Sequence, residues 1–224
     1  MNKFLVLTAN LGEKDQLIDP PYKFDNCDYI AIVDRPYNVK IWDLYEPYKF
    51  SDIDNYQNRR NAKLYKILSS LIFGNYEYIF WHDSNHQLKV HPESILQEYG
   101  DFDFLLFKHP QRDCIYDEMK TIRGWLDDES LVLNQEKHYT DRQMPKNYGL
   151  YEMTCFMKKC NNITMTLDLM WWEQICKFSS RDQCSFMFCL WKMQNLLNIK
   201  EFNGYANLYA GGSKYFNEQP GHLN

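Results

Sequence analysis

Two short segments of this 224-residue chain combine residue types that can do chemistry. Asp83-Ser84-Asn85 follows the apolar run Tyr78-Ile79-Phe80-Trp81. A buried strand ending in Asp-x-Asn sets two oxygen ligands side by side, because alternate residues of a strand share a face. Mg²⁺ and Mn²⁺ take such ligands and complete their shell with substrate phosphates. A cation held there would act as a Lewis acid toward a departing diphosphate. The same residues are also what a polar turn after any strand looks like. Arg181-Asp182-Gln183, preceded by Ser179-Ser180, is the second segment. Ser180 to Gln183 reads as a capping box, with Asp182 in the first helical turn complementing the helix dipole. Capping leaves Arg181 unexplained, and a carboxylate at a helix N-terminus can also act as a general base toward a hydroxyl.

A third set lies on one helix. Arg59, Lys63 and Lys66 share a face that can clamp a diphosphate, although a solvated charged face is the commoner outcome. Arg60 sits about 40° round the helix from Leu64, beside the apolar stripe, and is expected to reach inward. His82, inside a strand, reads as a core histidine. His109 and His222, in irregular segments, are more open to a ligand role.

These groups need a scaffold, and the pattern of the chain supplies one. Phe4-Leu5-Val6-Leu7 is a short apolar run stopping at the bend Thr8-Ala9-Asn10-Leu11-Gly12. Tyr29 to Val33 is a second run stopping at Asp34, and Ile41-Trp42 marks a third. Leu64, Ile67, Leu68, Leu71 and Ile72 form one face of a helix over 57–73, closed by Gly74-Asn75 as a left-handed cap. Residues 78–81 and 102–107 read as strands buried on both faces. Residues 113–134 read as helical with a break near Gly124, and 151–158 as a strand. Met165, Leu169, Trp172 and Cys176 mark one further helix, and Phe186, Leu190, Met193 and Leu197 another. This order implies an α/β layer with a mostly parallel sheet, in which ligands bind beyond the carboxyl ends of the strands. Thr8, Asn10, Asp34, Asp83, Asn85 and His109 stand at those ends and are expected on one rim.

The bulk properties narrow the partners. With a net charge of −5 and no basic tract, the chain has nothing to neutralise a nucleic-acid backbone. Its seven Cys lack zinc-site spacing and read as free thiols in a reducing compartment. There is no apolar run approaching 18 residues and no signal-peptide pattern, so the expectation is a cytoplasmic protein without a membrane span. Asn162-Ile163-Thr164 would then match the glycosylation sequon by chance. The 17% aromatic content suits sugar stacking but is equally good core material.

Several blocks in fixed order resemble a glycosyltransferase-like family with plant cell-wall-associated, bacterial and viral members. They are Arg59-Arg60-Asn61-Ala62-Lys63 through Lys66-Ile67-Leu68, and Phe73-x-Asn75-Tyr76-x-Tyr78-x-x-Trp81-x-Asp83-Ser84-Asn85. Lys108-His109-Pro110-x-Arg112-Asp113-Cys114-x-Tyr116-x-Glu118 and Gly149-Leu150-Tyr151-Glu152 follow. Trp171-Trp172-Glu173-Gln174 and Ser180-Arg181-Asp182-Gln183-x-Ser185-Phe186 complete the set, which spans about residues 4–195. The resemblance implies a single GT-A-like (Rossmann-like) domain over 1–224, an α/β three-layer sandwich. It implies transfer of a sugar from a nucleotide-diphosphate sugar, a UDP-sugar first of all, to a glycan or other hydroxyl acceptor with Mn²⁺ or Mg²⁺; the Asp182 candidate alone favours inversion over retention. Carried over by position, Thr8, Ala9 and Asn10 border the nucleotide and Asp34 contacts base or ribose. Arg60, Lys63, Ser84 and His109 join the donor site. Asp83 faces the metal, with Asn85 as a neutral ligand where many such enzymes have Asp, and His222 as a third. Asp182 becomes the base, Arg181 its partner toward the phosphates, and Glu152 the reserve base or an acceptor-binding carboxylate. Two alternatives stay open: a nucleotidyltransferase, disfavoured by the single Gly of Thr8–Gly12, and a non-catalytic sugar-binding module.

Overall fold

The computed structural model describes residues 2–12, 15–49, 57–125 and 127–219. Its framework is a seven-stranded sheet in the order β3-β2-β1-β4-β7-β6-β8. The strands are β1 (Phe4–Asn10), β2 (Cys27–Val33), β3 (Asp43–Tyr45), β4 (Tyr78–His82), β6 (Phe104–Lys108), β7 (Tyr151–Lys159) and β8 (Ile199–Glu201). All neighbours pair in parallel except β7, which runs antiparallel to both β4 and β6. That reversal brings the first residues of β7 to the carboxyl ends of its neighbours. A second, two-stranded sheet pairs β5 (His86–Leu88) with β9 (Phe216–Glu218).

Alternation along the strands divides the interior in two. In β1, Leu5, Leu7 and Ala9 join one core, while Phe4 and Val6 join the other. In β4 the same split separates Ile79 and Trp81 from Tyr78 and Phe80. The first core is covered by α1 (Gln57–Ile67), α2 (Ser69–Ile72), α4 (Ile115–Ile122), α5 (Glu129–Asp141), α6 (Asn162–Lys177) and α7 (Asp182–Lys192). The second lies under α3 (Pro92–Tyr99) and the aromatic group Phe202, Tyr215 and Phe216. The result is the expected α/β three-layer GT-A-like architecture, with most of its helices on one face.

Several local expectations change. Thr8 to Asn10 continue β1 rather than forming a bend, and the third strand falls at Asp43–Tyr45, just after Ile41-Trp42. The helix over 57–73 is interrupted at Leu68, where the Ser69 hydroxyl bonds back to the Lys66 carbonyl. Gly74 is not a left-handed cap. It is required because a Cβ there would stand 2.8 Å from the Ser70 carbonyl and 3.2 Å from Met165. The break at Gly124 is real and left-handed (φ +68°). In α6 the buried stripe is Thr164, Leu167, Asp168, Trp171 and Ile175; Leu169 and Cys176 of the expected stripe face outward. Thr164, the last residue of the sequon-like triplet, shares a capping box with Asn161.

Candidate functional site

The rim beyond β4 is built on four charged side chains. Lys63 and Lys66, three residues apart, share one face of α1. That face is turned inward, against the solvated outcome expected for it. Asp182 opens α7, and its carboxylate accepts from Lys63 Nζ at 2.6 Å and lies 2.7 Å from Lys66 Nζ. Lys66 Nζ also stands 3.3 Å from Asp83 Oδ1, which accepts from the Trp81 indole N–H at 3.0 Å. Lys66 and Asp182 are buried, with side chains 1% and 4% exposed, whereas the Asp83 side chain is 40% exposed. The network therefore runs from the interior to an open edge.

Its electrostatics follow from a two-to-two balance of charge. Burial alone would raise the Asp83 carboxyl, but the Lys66 and Lys63 ammoniums outweigh that and hold it down to about 2. For Asp182 burial is likewise overcome by Lys63, Lys66 and Arg181, leaving it far below the usual carboxylate range. Burial works against the Lys66 ammonium too, yet Asp182 and Asp83 raise it above its ordinary value. Lys63 is the exception: burial dominates and brings it down to about 8.

The α7 terminus is fixed from below. The Trp171 indole donates to the Asp182 carbonyl at 3.1 Å, and the buried Asp127 Oδ2 accepts from Ser179 Oγ, Ser180 N and Ser180 Oγ at 2.7–2.8 Å. Ser180 is thus held by Asp127, and the Gln183 side chain accepts from Arg181 Nη2 at 2.8 Å. The expected capping box does not form, and the helix has no side-chain cap at Arg181. Arg181 and Arg112 instead flank the buried Glu118, at 3.9 and 2.6 Å.

Other expected site residues have different employment. Residues 83–85 form a turn after β4, closed by His86 N donating to the Asp83 carbonyl at 2.9 Å. The strand alternation that would align Asp83 with Asn85 is therefore absent. The Asn85 side-chain oxygen is engaged by His86 Nδ1 at 2.9 Å, and Ser84 donates to Asp15. Arg60 does reach inward, but to the Ile175 and Phe178 carbonyls at the end of α6 and not to the rim. His109 Nδ1 accepts from the Gln111 and Arg112 amides, which makes it the pin of a turn. His82 is buried and neutral, burial bringing it down to about 4. His222 lies outside the described residues.

At the ends of β1 and β2, Asn10 donates to the Asp15 carbonyl (2.6 Å) and to Tyr37 (3.0 Å), and Asp34 Oδ2 accepts from the Gly12 amide (2.8 Å). Gly12 holds φ +76° there. Ala9 packs into the helix-side core, and the buried Thr8 Oγ1 and Asp34 Oδ1 have no hydrogen-bond partner among the described residues.

Glu152, the second residue of β7, stands on the same rim, 5% exposed. Its Oε1 accepts from Asn207 Nδ2 and, at 3.4 Å, from Thr154 Oγ1. Trp81, Asp127 and Asn207 are the residues that sequence patterns did not assign to the site, while Lys66 was singled out only as part of a face more often solvated. For Lys66 a signal existed, its spacing from Lys63, but spacing gives no direction.

The residues present admit a divalent cation in one way. Asp83 is ionised and half-exposed, so it can give one carboxylate ligand to an ion that completes its shell with phosphate oxygens and water. Among the described residues there is no group of three His, Cys, Asp or Glu arranged as a preformed cage.

Residues 30–208 match the family described as "TOD1/MUCI70, glycosyltransferase-like domain". A "Probable hexosyltransferase MUCI70" of Arabidopsis thaliana is 26% identical over 140 residues, covering 57% of this chain and 24% of that protein. The chain thus spans about a quarter of that relative's length. Among solved structures, the apo WbbM bifunctional glycosyltransferase superposes over 90% of this chain and 39% of its own, with TM-score 0.53 and 8% identity. Apo mouse xyloside xylosyltransferase 1 covers 89% of this chain and 85% of its own, with TM-score 0.49 and 9% identity.

Proposed function

The chain belongs to the TOD1/MUCI70 glycosyltransferase-like family, and from that premise we propose that it moves a hexose from a UDP-sugar to a glycan hydroxyl at the rim around Asp83. The observation that supports this most is the charged series Lys63–Asp182–Lys66–Asp83 at the carboxyl end of a parallel strand. Ligands of open α/β sheets bind at that end. The nucleotide extends toward β1 and β2, where Thr8 Oγ1 and Asp34 Oδ1 have no hydrogen-bond partner among the described residues.

Cleavage of a nucleotide-sugar builds negative charge on the leaving diphosphate. Groups that are charged and fixed beforehand stabilise that charge without reorganising. Lys66, held ionised by two carboxylates, and Lys63 beside it meet this condition. Asp182 anchors both ammoniums. Its affinity for a further proton is too low for the base role expected of it, so in this reading it is a positioning residue. A bound Mn²⁺ or Mg²⁺, held by Asp83, would supply Lewis-acid stabilisation of the same leaving group.

A thermal-shift series with UDP-hexoses, with and without Mn²⁺, tests the reading. A UDP-sugar at a hundredfold excess over Kd should raise Tm by about 5–10 °C, and only with Mn²⁺ present. Asp83→Asn should remove the metal-dependent part. A nucleotide-sugar panel giving no metal-dependent shift would overturn the proposal.

A further inference from the structure

The proposed donor site leaves one buried acid on the rim without a task. Glu152 lies in β7, which among the described strands of the large sheet runs against the others. That reversal sets it opposite Phe107 at the carboxyl end of β6, three residues from Cys155, the partner of His82 at the end of β4. Thr154, two residues on, receives the Asp83 amide on its carbonyl at 2.9 Å, which ties this part of β7 to the donor turn. Of the Glu152 oxygens, Oε1 is held by Asn207 and Thr154. The other, Oε2, is buried and has no hydrogen-bond partner among the described residues. A buried carboxylate oxygen with no donor is costly unless a ligand supplies one.

The segment that clamps Oε1 also reaches the donor turn. It contains Asn207, a 3₁₀ turn over Leu208–Ala210, and β9. The Leu208 amide donates to Glu218 of β9 at 2.5 Å, and β9 pairs with β5 immediately after Asp83-Ser84-Asn85. One stretch of chain therefore braces Glu152 and the donor motif together. On that 3₁₀ turn Tyr209 is 67% exposed, with its phenol in the electrostatic range of Glu152, Glu218 and Arg112. An exposed aromatic ring beside an acid is a face on which a sugar ring can stack.

We propose that Glu152 is the catalytic base, its free Oε2 taking the proton of the acceptor hydroxyl, and that Tyr209 carries the acceptor sugar. The inference rests on the glycosyl-transfer reading above. In the step, the acceptor oxygen forms a bond to C1 of the donor sugar as its proton passes to Glu152. The bond from C1 to the diphosphate oxygen breaks, and that electron pair leaves on the diphosphate. The proton is later released to water.

The acidity of Glu152 suits the task. Burial raises its carboxyl to about 7, with Asp83 and Glu218 adding to the rise and Thr154 and Lys66 opposing it. Tyr209 and the Cys155 thiol of its own strand also lie within electrostatic range. A base with an affinity near the working pH combines the ionised form with a useful pull on the proton.

The experiment compares wild type, Glu152→Gln, Glu152→Ala and Tyr209→Ala in turnover of a UDP-hexose panel with oligosaccharide acceptors. UDP binding is followed by calorimetry in parallel. Wild-type kcat/KM should rise with pH through about 7 and then level. Glu152→Gln should lose about 100- to 10,000-fold in kcat and lose that acidic limb, with UDP affinity within twofold of wild type. Formate should restore part of the rate to Glu152→Ala but not to Glu152→Gln. Tyr209→Ala should raise KM for acceptor alone. Transfer by Glu152→Gln at the wild-type rate with an unchanged pH profile would overturn the base assignment while leaving the transfer reading intact. Wild type that binds no UDP and turns over no donor would remove both.

Discussion

Among the described residues, two buried lysine–carboxylate constellations of similar composition behave differently. Lys158 and Asp168 are both fully buried, with Nζ 2.5 Å from Oδ2. Lys158 also donates to the Ile67 carbonyl at 2.8 Å, and Ser70 donates to Asp168. The pair thus ties β7 and α6 to the break between α1 and α2. Burial dominates both members, raising the acid and lowering the base. At the rim the same residue types come as two lysines and two aspartates, and one of them opens to solvent. There the coulombic attraction wins for three of the four, and the charges persist. One pair against burial is a structural bolt. Two pairs with an open edge keep their charges at the surface.

The sharpest way to break this distinction is to remove one carboxylate from each. Asp168→Asn strands an ammonium in the interior and should cost about 3–5 kcal/mol. That corresponds to a Tm loss on the order of 10 °C in a thermal melt. Asp83→Asn should leave Tm nearly unchanged and lower kcat/KM about 100- to 1,000-fold in a transfer assay. Equal stability losses would erase the contrast.

A subtler test uses the weak member of the rim. Lys63 titrates at about 8 in the folded chain against 10.5 for the free side chain. Donor affinity should therefore fall roughly tenfold between pH 7 and 9.5, measured by calorimetry with UDP. Stability moves the other way. The unfolded chain holds more protons between about pH 8 and 10.5, so the folded state gains as pH rises across that window. Lys63→Met should abolish both slopes. The smallest effect is expected at Arg60. Arg60→Met frees two carbonyls at the end of α6 and should cost about 1–2 kcal/mol in denaturant melts, with UDP affinity unchanged. A loss of UDP affinity instead would return Arg60 to the donor site.

Much of the scaffold was legible because it rests on local periodicity. The runs at β1, β2, β4 and β6 declare strands, the last two as buried on both faces, and the break at Gly124 shows in its residue type. The buried stripe of α6 was misassigned because that helix carries apolar residues on more than one side, including exposed Leu169 and Ile163. The Ser180–Gln183 capping box failed for a different reason: Asp127, from a distant loop, offers Ser180 a stronger acceptor. Of the candidate site, Asp83, Asp182, Lys63 and Glu152 stood out as residue types, and the geometry brings them to one rim. Arg60 and His109 stood out equally and are occupied elsewhere.

By itself the sequence determined the α/β alternation, the strand that delivers Asp83, and the spacing that puts Lys63 and Lys66 on one helix face, since each depends on neighbours within a few turns of chain. The tertiary structure alone decided what that face meets and which way β7 runs. Helical spacing fixes which side chains travel together, but not whether they point to water or to Asp182 on a helix 119 residues away. Strand direction is set by pairing between segments far apart in sequence, and it is the reversal of β7 that brings Glu152 to the carboxyl end of β6, on the same rim as the Asp83 turn.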